Sequence, residues 1–139
     1  MGNHKRWHIA LVVAVAGIWV TTTLAADSMV TTDDLLKSPK FKSVYAAALG
    51  PKGKERWLST MTNSALVREV VIAGDRFQVA TPCKPHDCGD NNLLLLFSPA
   101  KGVVFGKLYE KGKTTLLGAP DPGMISELEK MWKKEFRQQ

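Results

Sequence analysis

"RFQVATPCKPHDCGDNNLLLLFS", residues 76–98, sets two apolar stretches on either side of a hexapeptide bounded by cysteines. In "RFQVATPC" Phe77 and Val79 alternate with Gln78 and Ala80, a period of two that buries one face of a strand. "NLLLLFS" (92–98) is a continuous apolar run, short enough for a central strand. The connection between them is short, so the two strands are expected to be antiparallel neighbours, with the Cys-bounded segment projecting into solvent at their turn.

Upstream, "ALVREVVIA" (65–73) is rich in β-branched residues, and "GD" at 74–75 signals a turn. Downstream, "SPAKG" turns into "VVFGKLYE" (103–110), and "KGK" turns again into "TTLLG" (114–118), a fifth strand. Helices bracket this run. Ser38 caps a helix opened by Pro39, whose apolar face is Phe41, Val44, Tyr45, Ala48 and Leu49, and Gly50 and Pro51 stop it. Before it, "TTDDLLKS" (31–38) offers capping residues and one helical turn, and after it "PKGKERW" (51–57) reads as a basic loop with Trp57 plugging the core. At the C-terminal end Asp121 caps and Pro122 opens a helix with Ile125, Leu128, Trp132 and Phe136 on one face. The expected fold class is α+β: a single domain with an antiparallel sheet of about five strands flanked by helices, and a protruding loop at residues 83–88.

The chain begins with a basic head, "MGNHKRWH" (1–8), then the apolar "IALVVAVAGIWV" (9–20), polar "TTT" and the small residues of "LAADS" (24–28). These are the three parts of a secretory signal peptide. An ordinary membrane span needs about 20 apolar residues, more than this run offers. The expectation is a signal at residues 1–25, cleaved after Ala25 or Ala26, one domain at 26–139, and a periplasmic location; an uncleaved anchor is the other reading. Loss of Lys5 and Arg6 lowers the formal charge from +6 to +4. The remaining basic residues are dense only in "KMWKKEFR" (130–137), the face and tail of a terminal helix, so neither a nucleic acid nor, after cleavage, a membrane is an expected partner.

Export bears on Cys83 and Cys88, because an oxidising compartment favours a disulfide between them. Two alternatives stay open on the residues alone. Cys83, His86 and Cys88 could contribute to a metal site, although a structural zinc needs a fourth ligand, and His4 and His8 leave with the signal. A redox or nucleophilic thiol would need a persistent thiolate. Closing so small a ring is worth roughly 2 kcal/mol in the chain-entropy model. Its larger effect is local, with Pro85 fixing φ just before His86. A rigid, exposed Lys84-Pro85-His86-Asp87 tip loses little entropy on binding, although the same composition also suits an ordinary exposed turn.

"CKPHDC" (83–88) resembles the signature loop of the Ivy family, periplasmic inhibitors of vertebrate (c-type) lysozyme. "GD" and "F-Q-V" before the loop and the apolar strand after it agree with that resemblance. It implies an antiparallel sheet flanked by helices, with the disulfide-closed loop entering the lysozyme cleft as a key. The key residue would be His86, reaching the catalytic carboxylates. Lys84 would face acidic groups at the cleft wall, and Asp87 would orient the ring or cap the turn. The family is also linked to restraint of the cell's own lytic transglycosylases. No cofactor, metal or catalytic role is implied, and the oligomeric state is left open. The alternative is a small periplasmic metal-binding or redox module built on Cys83, His86 and Cys88. Arg76, Asp90 and Asn91 are further contact candidates by nearness in sequence.

Overall fold

A computed structural model describes residues 29–138; the segment read as a signal peptide lies outside the described residues. The strands form a five-stranded antiparallel meander, β1 (Arg68–Ile72), β2 (Asp75–Ala80), β3 (Asn91–Ser98), β4 (Val103–Glu110) and β5 (Lys113–Leu117), in the order β1-β2-β3-β4-β5. β3 lies at the centre, and all of its residues are buried. Its alternating side chains feed two cores. Leu93, Leu95 and Phe97 pack with Phe41, Tyr45, Leu49, Trp57 and Leu58 on one side. Leu94 and Leu96 pack with Phe77, Val79, Leu128 and Trp132 on the other. The sheet is therefore the middle of three layers.

One outer layer is built from α1 (Thr32–Lys37), α2 (Pro39–Leu49) and α3 (Arg56–Ser59); the other is α4 (Pro122–Phe136). The caps fall where side-chain chemistry demands. Thr31 and Asp34 form a reciprocal capping box on α1. Ser38 accepts from the Phe41 N–H at 3.4 Å, and Asp121 from the Met124 N–H at 2.8 Å. Trp57 is buried, as its sequence context indicates.

Three local expectations need correction. The basic stretch after α2 is not a loop but a 3₁₀ turn (Gly50–Lys54) followed by α3, because Trp57, Leu58 and Met61 all have core to bury against. The first hairpin turn falls on Ala73 and Gly74, both at positive φ (50° and 85°), and Asp75 already belongs to β2. Two consecutive left-handed residues match the twist of the flanking strands. On α4, Ile125 is 37 % exposed. The buried stripe is centred on Leu128, with Met124 and Met131 filling the side away from Ile125.

Lys107 is the buried charge of the sheet, 5 % exposed. Its ammonium pairs with Glu129 and lies 3.7 Å from the centroid of the Trp132 ring. That hydrogen bond holds the Glu129 carboxyl below the usual carboxylate range. A depressed carboxyl stabilises the fold above its unfolded pKa and loses that contribution as pH falls through the folded one. Unfolding free energy should therefore drop as pH is lowered from about 5, and Glu129→Gln should flatten that slope in denaturant titrations. An unchanged slope would assign acid sensitivity to other carboxyls, such as Asp34, which its bond from the Thr31 backbone also holds low.

Glycine is required at one position above all. Gly118 has φ 78°, and a Cβ there would lie 1.7 Å from the Val104 carbonyl oxygen. Gly112, in the β4–β5 turn at φ 85°, would carry its Cβ into open space. Gly118→Ala should cost about 3 kcal/mol or more, and Gly112→Ala about 1 kcal/mol. Chemical denaturation of the two variants side by side checks this ordering.

Candidate binding loop

The hexapeptide links β2 to β3. Its first leg is tied to the sheet. The Cys83 N–H donates to the Thr62 carbonyl at 3.0 Å, the Thr81 N–H to Ser64 Oγ at 3.0 Å, and the Leu93 N–H to the Pro82 carbonyl at 2.9 Å. Cys83, itself buried, faces Asn92 across an antiparallel bridge. The disulfide between Cys83 and Cys88 closes the loop, with Cα atoms 4.9 Å apart. Among the described residues no cysteine is free, and no cluster of His, Cys, Asp and Glu is arranged to hold a metal.

The tip is a tight turn. The Asp87 N–H donates to the Lys84 carbonyl at 3.0 Å, with Pro85 second and His86 third, and His86 has φ 62°. This is the pattern of a type II turn, whose third position ordinarily takes glycine or asparagine. Pro85 sets its own φ, but His86 sits in a region that costs a side chain free energy. Lys84, Pro85 and His86 are exposed, and Asp87 and Cys88 are half-buried. No hydrogen bond among the described residues engages the His86 imidazole, whereas the Asp87 carboxylate accepts from Asn91 Nδ2 at 2.6 Å.

Asn91 and Asn92 are the residues that sequence reasoning undervalued. Asn91 is buried. Its N–H donates to the Asp87 carbonyl at 2.9 Å, and its own carbonyl accepts from the Lys84 N–H at 3.0 Å. It is an internal brace, not an exposed contact. Asn92 is fully buried, and its amide orientation follows from its neighbours. The Trp132 indole N–H can only donate, so it bonds Asn92 Oδ1 at 2.6 Å, leaving Nδ2 to donate to the Cys88 carbonyl at 2.7 Å. The polar end of an otherwise apolar run is the one available signal for this pair, and its helix partner lies 40 residues away.

The other contact candidates separate. Asp90 stays exposed beside the loop, its carbonyl accepting from the Lys111 N–H at 2.7 Å. Arg76 sits at the opposite end of β2, within 3.5 Å of Glu69. Seven extended residues put it roughly 20 Å from Cys83. On the α3 side, Glu55, Arg56, Thr60 and Thr62 line a groove of about 720 Å³ over Trp57, whose other wall is Lys84 and Pro85.

The site is thus a braced, disulfide-closed turn on an α+β scaffold that holds the His86 imidazole out into solvent. The chain belongs to the family described as "Inhibitor of vertebrate lysozyme (Ivy)", whose model matches residues 40–138. It is similar to the Pseudomonas aeruginosa protein named "Inhibitor of vertebrate lysozyme", 32 % identical over 75 residues, covering 52 % of this chain and 49 % of that one. The Escherichia coli K12 protein of the same name is 22 % identical over 95 residues, 68 % of this chain and 60 % of that one. An uncharacterised Yersinia pestis protein is 30 % identical over 99 residues, 70 % of this chain and 63 % of its own. The chain thus spans about half to just under two thirds of the curated relatives it matches.

The left-handed φ of His86 makes a sharp prediction for the isolated protein. His86→Gly should leave the melting temperature unchanged or raise it, and His86→Val should lower stability by about 1 kcal/mol, because β-branched residues tolerate this region least. Equal losses in thermal denaturation would mean that the tip does not hold this turn in solution.

Proposed function

We propose that this chain inhibits c-type lysozyme by inserting the Cys83–Cys88 loop into the enzyme's active-site cleft, with His86 contacting the catalytic carboxylates. The observation that carries this reading is the exposed imidazole on a braced turn, in a chain that belongs to a family described by lysozyme inhibition. Retaining glycosidases of this type hold a protonated acid and an ionised carboxylate about 5–5.5 Å apart. A neutral imidazole donates from one ring nitrogen and accepts at the other, so it suits one ionised and one protonated carboxyl; a charged one donates from both. Lys84 adds a positive charge at the loop's shoulder, favourable against an acidic cleft wall. The loop enters pre-shaped, and little conformational entropy is lost on docking. No catalytic role is assigned to this chain itself.

The setting fits this role. A signal peptide at residues 1–25 would deliver the domain at 26–139 to the periplasm, where it would meet a lysozyme attacking the cell wall. Among the described residues no helix is long and apolar enough to cross a membrane. The cell's own lytic transglycosylases are a second class of target, since they cleave the same glycan bond with a catalytic glutamate that the same imidazole could engage.

A turbidity assay tests the proposal: c-type lysozyme clears a cell-wall suspension with and without the mature protein. Wild type should inhibit, and His86→Ala should lose at least about tenfold in potency with an unchanged melting temperature. Cys83→Ser should weaken inhibition less than His86→Ala, because the turn's backbone and Asn91 bonds survive without the disulfide. Full potency in both variants would sink the key-loop mechanism. Silence of the wild type toward lysozyme and transglycosylases alike would sink the inhibitor reading.

A further inference from the structure

A disulfide fixes the internal shape of a small ring but not how that ring is aimed. The first leg of the Cys loop is aimed by the sheet, through the Cys83–Asn92 bridge. The second leg, Cys88 to Asp90, belongs to no strand and needs a different hold. Side-chain packing does not supply it at Gly89, where a Cβ would find nothing within 4 Å. The carbonyl groups carry the hold: the Lys111 N–H reaches the Asp90 carbonyl at 2.7 Å from the β4–β5 turn, and two side chains reach the other two. Asn92 Nδ2 reaches the Cys88 carbonyl at 2.7 Å, and the Gly89 carbonyl accepts from Arg137 Nη2 at 3.1 Å and more weakly from Asn92 Nδ2 at 3.4 Å.

The two side-chain donors are governed by the end of α4. Asn92 is oriented by the Trp132 indole N–H. The Arg137 guanidinium lies 4.4 Å from the centroid of the Trp132 ring and 4.7 Å from that of Tyr109. Cation–π contact with both rings, which are tilted 46° to each other, restricts the guanidinium, and its Nη2 points at Gly89 before any partner arrives. Lys107 approaches the same indole at 3.7 Å, and its pairing with Glu129 relieves the like-charge conflict with Arg137.

We propose that α4 is a clamp on the second leg of the loop, and that Arg137 is a positioning residue which sets the direction in which His86 is presented. The inference rests on the reading of this loop as the inhibitory element. A loop that swings about its second leg displaces the imidazole, and displacement of about 1 Å is enough to degrade a built binding geometry. Arg137 would then govern how long the complex lasts more than how fast it forms.

The test uses the mature protein as wild type, Arg137→Gln and Arg137→Lys. Backbone ¹⁵N relaxation is read on the free protein, and dissociation from c-type lysozyme by surface binding. In wild type, order parameters at His86, Cys88 and Gly89 should match the sheet, about 0.85, and in Arg137→Gln they should fall toward about 0.6 while β3 and β4 stay unchanged. Dissociation should quicken about tenfold. Arg137→Lys keeps the charge without the planar fork and should loosen the loop as well. A free loop that stays rigid in Arg137→Gln overturns the clamp, including the case where binding weakens in that variant and recovers in Arg137→Lys, which would make Arg137 a direct charge contact. If wild type does not bind lysozyme, the functional reading fails while the relaxation data still decide the clamp.

Discussion

The complete burial of β3 is the constraint from which the rest follows. A strand whose every residue is buried needs apolar cover on both faces, and no single helix layer can supply it. α2 and α3 cover Leu93, Leu95 and Phe97, while α4 covers Leu94 and Leu96. The same burial reaches the strand's polar ends, where an unsatisfied amide would cost about 1–3 kcal/mol. Asn91, Asn92 and Ser98 each find partners: Asp87, the Cys88 carbonyl with Trp132, and the Lys101 N–H. The bonds that hold the Cys loop are thus the means by which the central strand satisfies its own first two residues. Stability of the core and aim of the loop share a set of atoms.

The loop itself contributes little apolar burial, and that independence permits its strain. Lys84, Pro85 and His86 are exposed, so no core packing depends on which residue occupies the tip. Placing a histidine at φ 62° costs on the order of 1–2 kcal/mol against a glycine in the same turn. The disulfide offsets a comparable amount, roughly 2 kcal/mol for so short a ring. The two terms nearly cancel, and what remains is a rigid turn whose exposed imidazole is free for another molecule. Strain held at a solvent-facing residue by surrounding bonds is the pattern expected of a functional site.

Much of this was legible in the sequence, for reasons specific to each element. The strands around residues 76–98 are encoded by period and by short connections, both local signals, and so are the caps at Ser38 and Asp121. The Cys-bounded tip was legible because cysteine spacing, proline and the histidine between them are contiguous. α3 was not, because the charges of "PKGKERW" mask the apolar set Trp57, Leu58 and Met61 that follows helical spacing only from the end of that stretch. Ile125 was misplaced because periodicity defines a stripe but not its centre, which tertiary contacts put at Leu128. Asn92 and Arg137 were invisible as supports of the loop because their partners, Trp132 and Gly89, are 40 and 48 residues away.

Charge separates what draws two proteins together from what keeps them together. The domain expected after signal cleavage carries a formal +4, and since vertebrate-type lysozymes are usually basic, that charge would give no general attraction toward the proposed target and would slow encounter with it. In the binding proposed above, affinity would then reside in the lifetime of the complex, which means in shape, desolvation and fixed geometry at the loop. Each feature of residues 83–92 would act on that lifetime. Pro85 and the disulfide remove loop conformers, Asn91 and Asn92 tie the legs to a buried strand, and Arg137 bonds the second leg from the end of α4. A binder that cannot rely on long-range steering has to be pre-shaped, and in the proposed mode that pre-shaping would be concentrated around one imidazole.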